Sequence, residues 1–154
     1  MPGLKYLESL TDQLNKPLVN SKVLHALLDV ISDAYWIWEI NTGYDYLSAG
    51  WQRMLGYSPD ELPHHFTTWE RLLPEHDYKK AYAAVEAHFK SRGKIPYICD
   101  FRMKMKSGDF KMVQARGSVI EWNGDEPIIM AGNLTDINNV CLMRPDCLKA
   151  KGLE

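Results

Sequence analysis

The 154-residue chain has only three cysteines, Cys99, Cys141 and Cys147. The number is odd and no spacing matches a zinc site or a CxxC pair, which excludes a disulfide framework and points to reduced thiols. No apolar run approaches the ~18 residues a membrane span needs, and residues 1–10 lack the basic-then-apolar pattern of a signal peptide. A soluble, cytoplasmic protein is therefore expected. An excess of basic charge is also missing. With 18 Lys and Arg against 20 Asp and Glu, the net charge is -2, so there is no electrostatic footprint for nucleic acid. The run at 102–106 alternates Arg and Lys with apolar residues, as a solvated strand face does. Nucleophile-elbow, phosphate-loop, HExxH and kinase signatures are all absent. The chain is not expected to be an enzyme.

What is present is an ordinary globular composition, 45% hydrophobic and 25% charged, at a length that suits one domain. Residues 4–32 read as helical with a break at Lys16-Pro17. Leu4, Leu7, Leu10 and Leu14 recur at helical spacing, as do Val23, Ala26, Leu27, Val30 and Ile31 behind a cap at Ser21. These helices could pack on their own domain or serve as a dimerising or signal-coupling segment. Residues 35–40 and 44–47 read as strands joined by the Asn41-Thr42-Gly43 turn. Ser48 caps a short helix through Trp51, Met54 and Leu55, which Gly56 ends. Ser58-Pro59-Asp60-Glu61 reads as the start of another helical turn. Thr67-Thr68-Trp69-Glu70 fits a capping box, with Pro74 as its stop.

The longest helix is expected over 76–92, with Tyr78, Ala81, Tyr82, Val85 and Phe89 on one apolar stripe. The period then changes to two. Tyr97, Cys99, Phe101, Met103 and Met105 alternate with Ile98, Asp100, Arg102, Lys104 and Lys106, giving a long strand with one wet face. A turn at Ser107-Gly108-Asp109 leads into a strand over 110–122 with small residues at Val113, Ala115, Gly117 and Val119. A second turn at Asn123-Gly124-Asp125 leads into a last strand over 128–137. Tight turns make the strands antiparallel, and helices gathered in one block must cover one face. The reading is an α+β domain: a five-stranded antiparallel sheet with helices over one face, preceded by N-terminal helices. The boundaries are a helical extension over 1–32, the domain over 33–138 and a tail or linker over 139–154.

An ordered set of short motifs runs through this pattern. Trp36-Ile37-Trp38 precedes Asn41-Thr42-Gly43, and Met54-Leu55-Gly56-Tyr57-Ser58-Pro59-Asp60-Glu61-Leu62 follows. Then come Trp69 with Leu73-Pro74-Glu75-His76-Asp77, Phe101-Arg102-Met103 with Lys106-Ser107-Gly108-Asp109, and Gly132 with Thr135-Asp136-Ile137. Over about 33–138 this set resembles the bacterial sensory PAS/PAC family, in its subtype with a Trp-rich first strand. The resemblance implies sensing and dimerisation in signal transduction: a small ligand or partner protein is bound and a shape change is relayed to an output domain of diguanylate cyclase or histidine kinase (two-component) type. Asp136 takes the position where, in the family, an aspartate ties the last strand to the outgoing helix. Asn138 stands where threonine is frequent, and residues 138–154 carry no sustained heptad. A fragment with its output domain further on, and a freestanding dimerisation module without ligand, both stay open.

A cup of this kind would draw its walls from Trp38, Met54, Tyr82, Val85, Phe101 and Ala115, although each taken alone reads first as ordinary core. The small residues at 113–117 leave room that Trp36, Trp38 and Trp51 could fill. Haem would need His88, at the edge of the apolar stripe, as proximal ligand. The cysteine motif of a flavin photoadduct is absent before the long helix, leaving noncovalent flavin, a small metabolite or no cofactor. His64, His65 and His76 have no metal spacing. Inward positions read as aromatic or small, Asp100 lies on the wet face, and Glu70, Asp77 and Glu86 read as solvent-facing. Acid–base chemistry on buried carboxylates is therefore not expected.

Overall fold

The computed structural model describes residues 21–32 and 34–138. The chain divides after Ser32 into two units. The first contributes one described helix, α1 (Ser21–Ile31). Expectations for residues 4–20, for the Ser21 side chain and for the tail over 139–154 with Cys141 and Cys147 lie outside the described residues.

The second unit runs β1 (Tyr35–Glu39), β2 (Asp45–Leu47), α2 (Ala49–Met54), α3 (Phe66–Leu72), α4 (Glu75–Lys90), β3 (Tyr97–Lys104), β4 (Phe110–Asn123) and β5 (Glu126–Asp136). Its five strands form one sheet in the order β2-β1-β5-β4-β3, with every neighbouring pair antiparallel. The expected α+β architecture is what the chain adopts. Period-two patterning does its work in β3, where Tyr97, Cys99, Phe101 and Met103 are buried between more exposed neighbours. These four side chains and Val113, Ala115 and Val119 of β4 share one core cluster with Trp51 of α2, Leu55 just after it, Leu73 after α3, and Ala81 and Val85 of α4.

Local chemistry explains most boundaries. Ser48 Oγ accepts from Trp51 N at 3.1 Å, capping α2, and from Tyr35 N at 3.0 Å, which binds the cap to β1. Two expectations are corrected. Residues 58–61 form a turn rather than a helix start: Asp60 adopts φ 63°, a left-handed conformation that no helix can continue through, although Glu61 Oε2 still accepts from Ser58 N at 2.8 Å. The cap of α3 is His65, whose Nδ1 accepts from Thr67 N at 3.2 Å, so the helix begins one residue before Thr67 and the Thr67–Glu70 box is not used. The stop is as the proline requires. Leu73, before Pro74, is extended at ψ 141°, and Pro74 opens α4.

Candidate functional site

The antiparallel register lays one row of residues across all five strands: Leu47, Trp36, Gly132, Gly117 and Tyr97. The two glycines make a flat floor. A Cβ on Gly132 would collide with the Arg116 carbonyl oxygen and sit 2.6 Å from Trp36 Cζ2, and one on Gly117 would sit 2.7 Å from Trp36 Cη2. The Trp36 ring therefore lies over bare backbone, reaches Tyr97 edge-on at 6.3 Å, and donates from Nε1 to the Asn133 carbonyl at 3.3 Å. The neighbouring row runs Asp45, Trp38, Met130 and Val119.

Between these rows and the helices lies a cavity of ≈ 440 Å³, counted out to the solvent at its mouth. Its inner room holds roughly three waters. Trp36, Trp38, Tyr97, Ala115, Met130 and Leu134 line it from the sheet, with Asp45 from the edge strand. Trp51 closes it from α2, Phe66 and Trp69 from α3, and Val85 from α4. Of the six wall residues expected from sequence, Trp38, Val85 and Ala115 are in place. Met54, Tyr82 and Phe101 are not lining residues. Phe101 is fully buried against the edge of Trp69, Tyr82 stacks on Tyr78 at 5.8 Å, and Met54 sits on the outer side of the core.

Two of the lining residues carry a buried polar atom without a partner. Asp45 Oδ1 and Trp38 Nε1 are both buried, and neither has a hydrogen-bond partner in the protein. Their residues are cross-strand partners on one face. Burial without a partner pushes the Asp45 carboxyl up to about 7. Burial also pushes the Tyr97 phenol well up, so that it stays neutral. Sequence reasoning, which read the inward positions as aromatic or small, missed Asp45. The signal was present: the Asn41-Thr42-Gly43 turn sets the β1–β2 register, and Asp45 falls on the same face as Trp36 and Trp38.

The other buried polar groups are satisfied. Asp77, expected at a solvent-facing position, is buried. It accepts from Arg102 N at 2.7 Å, Arg102 Nε at 3.0 Å and Arg102 Nη2 at 2.9 Å. Burial pushes its carboxyl up, but the hydrogen bonds and charge of Arg102 outweigh this and hold it below the usual carboxylate range. His88 is 1% exposed and engaged at both ring nitrogens: Nδ1 donates to the Ile95 carbonyl at 2.7 Å, and Nε2 accepts from Val119 N at 3.0 Å. No lone pair is left for an iron, and His88 is not a lining residue, so the structure gives it a strand-anchoring role in place of the haem-ligand role. His64 is likewise committed, accepting from Leu47 N at 3.0 Å and donating to Asp60 Oδ1 at 2.9 Å. Among the described residues no His, Cys, Asp and Glu cluster could hold a metal ion, and no helix is long and apolar enough to cross a membrane.

At the end of β5, Asp136 Oδ1 accepts from Asn138 N at 2.9 Å and Oδ2 pairs with Lys111 Nζ at 2.9 Å. Asn138 Oδ1 accepts from Met112 N at 3.0 Å, so the asparagine docks the exit segment onto β4.

No curated protein matches the chain in sequence. Solved structures are similar to it in fold. The sensory box histidine kinase/response regulator of Burkholderia thailandensis is 28% identical with a TM-score of 0.67, over 83% of this chain and 94% of that one. The N-terminal domain of a diguanylate cyclase with PAS/PAC sensor from Marinobacter aquaeolei is 14% identical with a TM-score of 0.60, over 70% and 96%. The quorum-sensing receptor PAS domain of Cronobacter turicensis, in complex with C12:0, is 14% identical with a TM-score of 0.52, over 69% and 95%. A family model described as the PAS fold matches residues 44–133, from the edge strand β2 into the last strand, β5. With more than half of its length matched, and with the five-stranded antiparallel sheet and helices that its motif series implied, the chain belongs to the PAS fold family, whose members are sensory modules.

Proposed function

We propose that this chain is a cytoplasmic ligand-sensing PAS module, without catalysis of its own, which holds a small molecule in the aromatic cavity and relays its presence to an output domain of histidine kinase or diguanylate cyclase type. The observation that carries the reading is the pair of buried polar atoms, Asp45 Oδ1 and Trp38 Nε1, left without protein partners on two residues that line the aromatic cavity. Buried polar groups are nearly always paired, because an unpaired one costs about 1–3 kcal/mol. A ligand that meets them recovers that cost, and this makes the cavity a recognition site rather than a packing fault. Trp36 couples the site to the sheet: it spans the glycine floor, is bonded to the Asn133 carbonyl, and lies three residues along β5 from Asp136 through that contact. Ligand-driven tilting of Trp36 would shift β5 and its Asp136–Lys111 exit contact. The reading predicts that small molecules raise the melting temperature and shift tryptophan emission in a saturable way. A diverse metabolite library that moves neither quantity would overturn it.

A second reading is a homodimerising module that needs no ligand, carried by the apolar stripe of α1 at Val23, Leu27 and Val30. Light scattering of the Leu27→Glu, Val30→Glu double variant decides it. A dimer that survives both changes removes α1 from the seam.

A further inference from the structure

Six of the eleven lining residues are aromatic: Trp36, Trp38, Trp51, Phe66, Trp69 and Tyr97. The only other polar lining residue is Asp45, and no Lys, Arg or His is among them. An aromatic enclosure with one unpartnered carboxylate and no basic group has a definite chemical preference. A carboxylate ligand would meet no counter-charge and would face Asp45. The C12:0-bound relative therefore gives no guide to this cavity. A neutral ligand could give Asp45 a hydrogen bond from a hydroxyl or amide but no compensating charge. A cation is drawn to the negative faces of aromatic rings, an attraction that strengthens when water is excluded, and it supplies the charge that lets Asp45 ionise in a buried place. Trp38 Nε1 adds a directional requirement, since an unpartnered donor calls for an acceptor on the ligand.

Resting on the reading of the cavity as a ligand site, we propose that it takes a small organic monocation: a compact alkylammonium whose charge sits against Asp45 within the aromatic walls, carrying a hydroxyl or ether oxygen that accepts from Trp38. The inner room, of roughly three waters, limits it to a few carbons. Asp45 and Trp38 being cross-strand partners, charge and acceptor must lie close together on the ligand.

The test uses the full chain at pH 8 with four probes, followed by calorimetry and tryptophan fluorescence: choline, tetramethylammonium, the neutral carbon isostere 3,3-dimethyl-1-butanol, and butyrate. Choline is expected to bind at least about tenfold more tightly than its neutral isostere, and butyrate not measurably. Asp45→Asn is expected to weaken choline at least about tenfold while leaving the isostere within about twofold. Trp38→Phe, checked for an unchanged melting temperature, should weaken choline severalfold and leave tetramethylammonium alone. Equal affinity for choline and the isostere, a preference for butyrate, or choline binding indifferent to Asp45→Asn overturns the assignment. If the isostere or butyrate binds while both cations fail, the cavity remains a ligand site and only its cation preference is refuted. If all four fail, the cation assignment falls, and the library screen judges the sensor reading separately.

Discussion

Asp45 and Asp77 are both 5% exposed, yet they sit in opposite chemical worlds. Asp77 is at the helix end of the core, where Arg102 supplies a backbone N–H and two guanidinium bonds, and its carboxyl is held low. Asp45 is at the cavity end, has an oxygen with no partner, and is pushed up to about 7. Burial alone therefore does not set the protonation of a carboxyl; the donors placed around it do. Where donors come from the protein, the aspartate is a fastening between α4 and β3. Where none comes from the protein, burial holds the aspartate against its charged form.

The contrast can be broken from its floor upward. Gly132→Ala should have the largest effect, a loss of about 4 kcal/mol or failure to fold, because its Cβ has only backbone and the Trp36 ring to meet. A mild loss in denaturant unfolding would mean that the Trp36 row is looser than the register makes it. Next, Asp77→Ala should cost about 3 kcal/mol by removing three charge-assisted bonds at once. A cost no larger than that of an exposed residue would place Asp77 and Asp45 in the same class after all.

Asp45→Asn should move stability in the opposite direction, with a gain of about 2 kcal/mol at pH 8, less than the full linkage value because the amide that replaces the carboxyl is itself buried without a partner. The pH dependence sharpens the comparison. The Asp45 carboxyl is raised, so in the unliganded protein its penalty is absent below about pH 4, grows as the unfolded chain ionises, and levels off above about 7. The gain from Asp45→Asn should shrink accordingly toward pH 4. Asp77 is depressed, so its contribution is complete above its ordinary value near 3.8 and is lost as pH falls below it. A gain from Asp45→Asn that is flat from pH 4 to 8, in thermal melts, would show that Asp45 is already neutralised by some other means. The smallest effect belongs to a third aspartate. Asp136 is half-exposed and paired with Lys111. Asp136→Ala should cost under about 1 kcal/mol while weakening the output of the parent signalling system. Unchanged output in cells would remove it from the coupling path.

Much of the site was nearly readable in the chain. Trp38, Val85 and Ala115 line the cavity as their strand and helix phases implied. Phe101 and Tyr82 have the same phases and do not, because Trp69 and Tyr78 reach them first. Which large side chain claims a given space depends on neighbours brought in from other elements, and periodicity carries no information about that. His88 shows the same limit. Its position on the edge of a helix stripe admitted a ligand role, but the backbone of residues 95 and 119, distant in sequence, takes both its nitrogens.

The sequence by itself determined the element order, the antiparallel connections and the buried faces, because turn chemistry and the periods 2 and 3.6 are local properties that each segment carries with it. Only the tertiary structure decided which polar groups are paired. Asp77 and Asp45 are the same residue type, the first read along the chain as solvent-facing and the second passed over. What separates them is that folding brings a guanidinium to one and only aromatic walls to the other, and hydrogen bonding at short range depends on that arrangement in space rather than on order along the backbone.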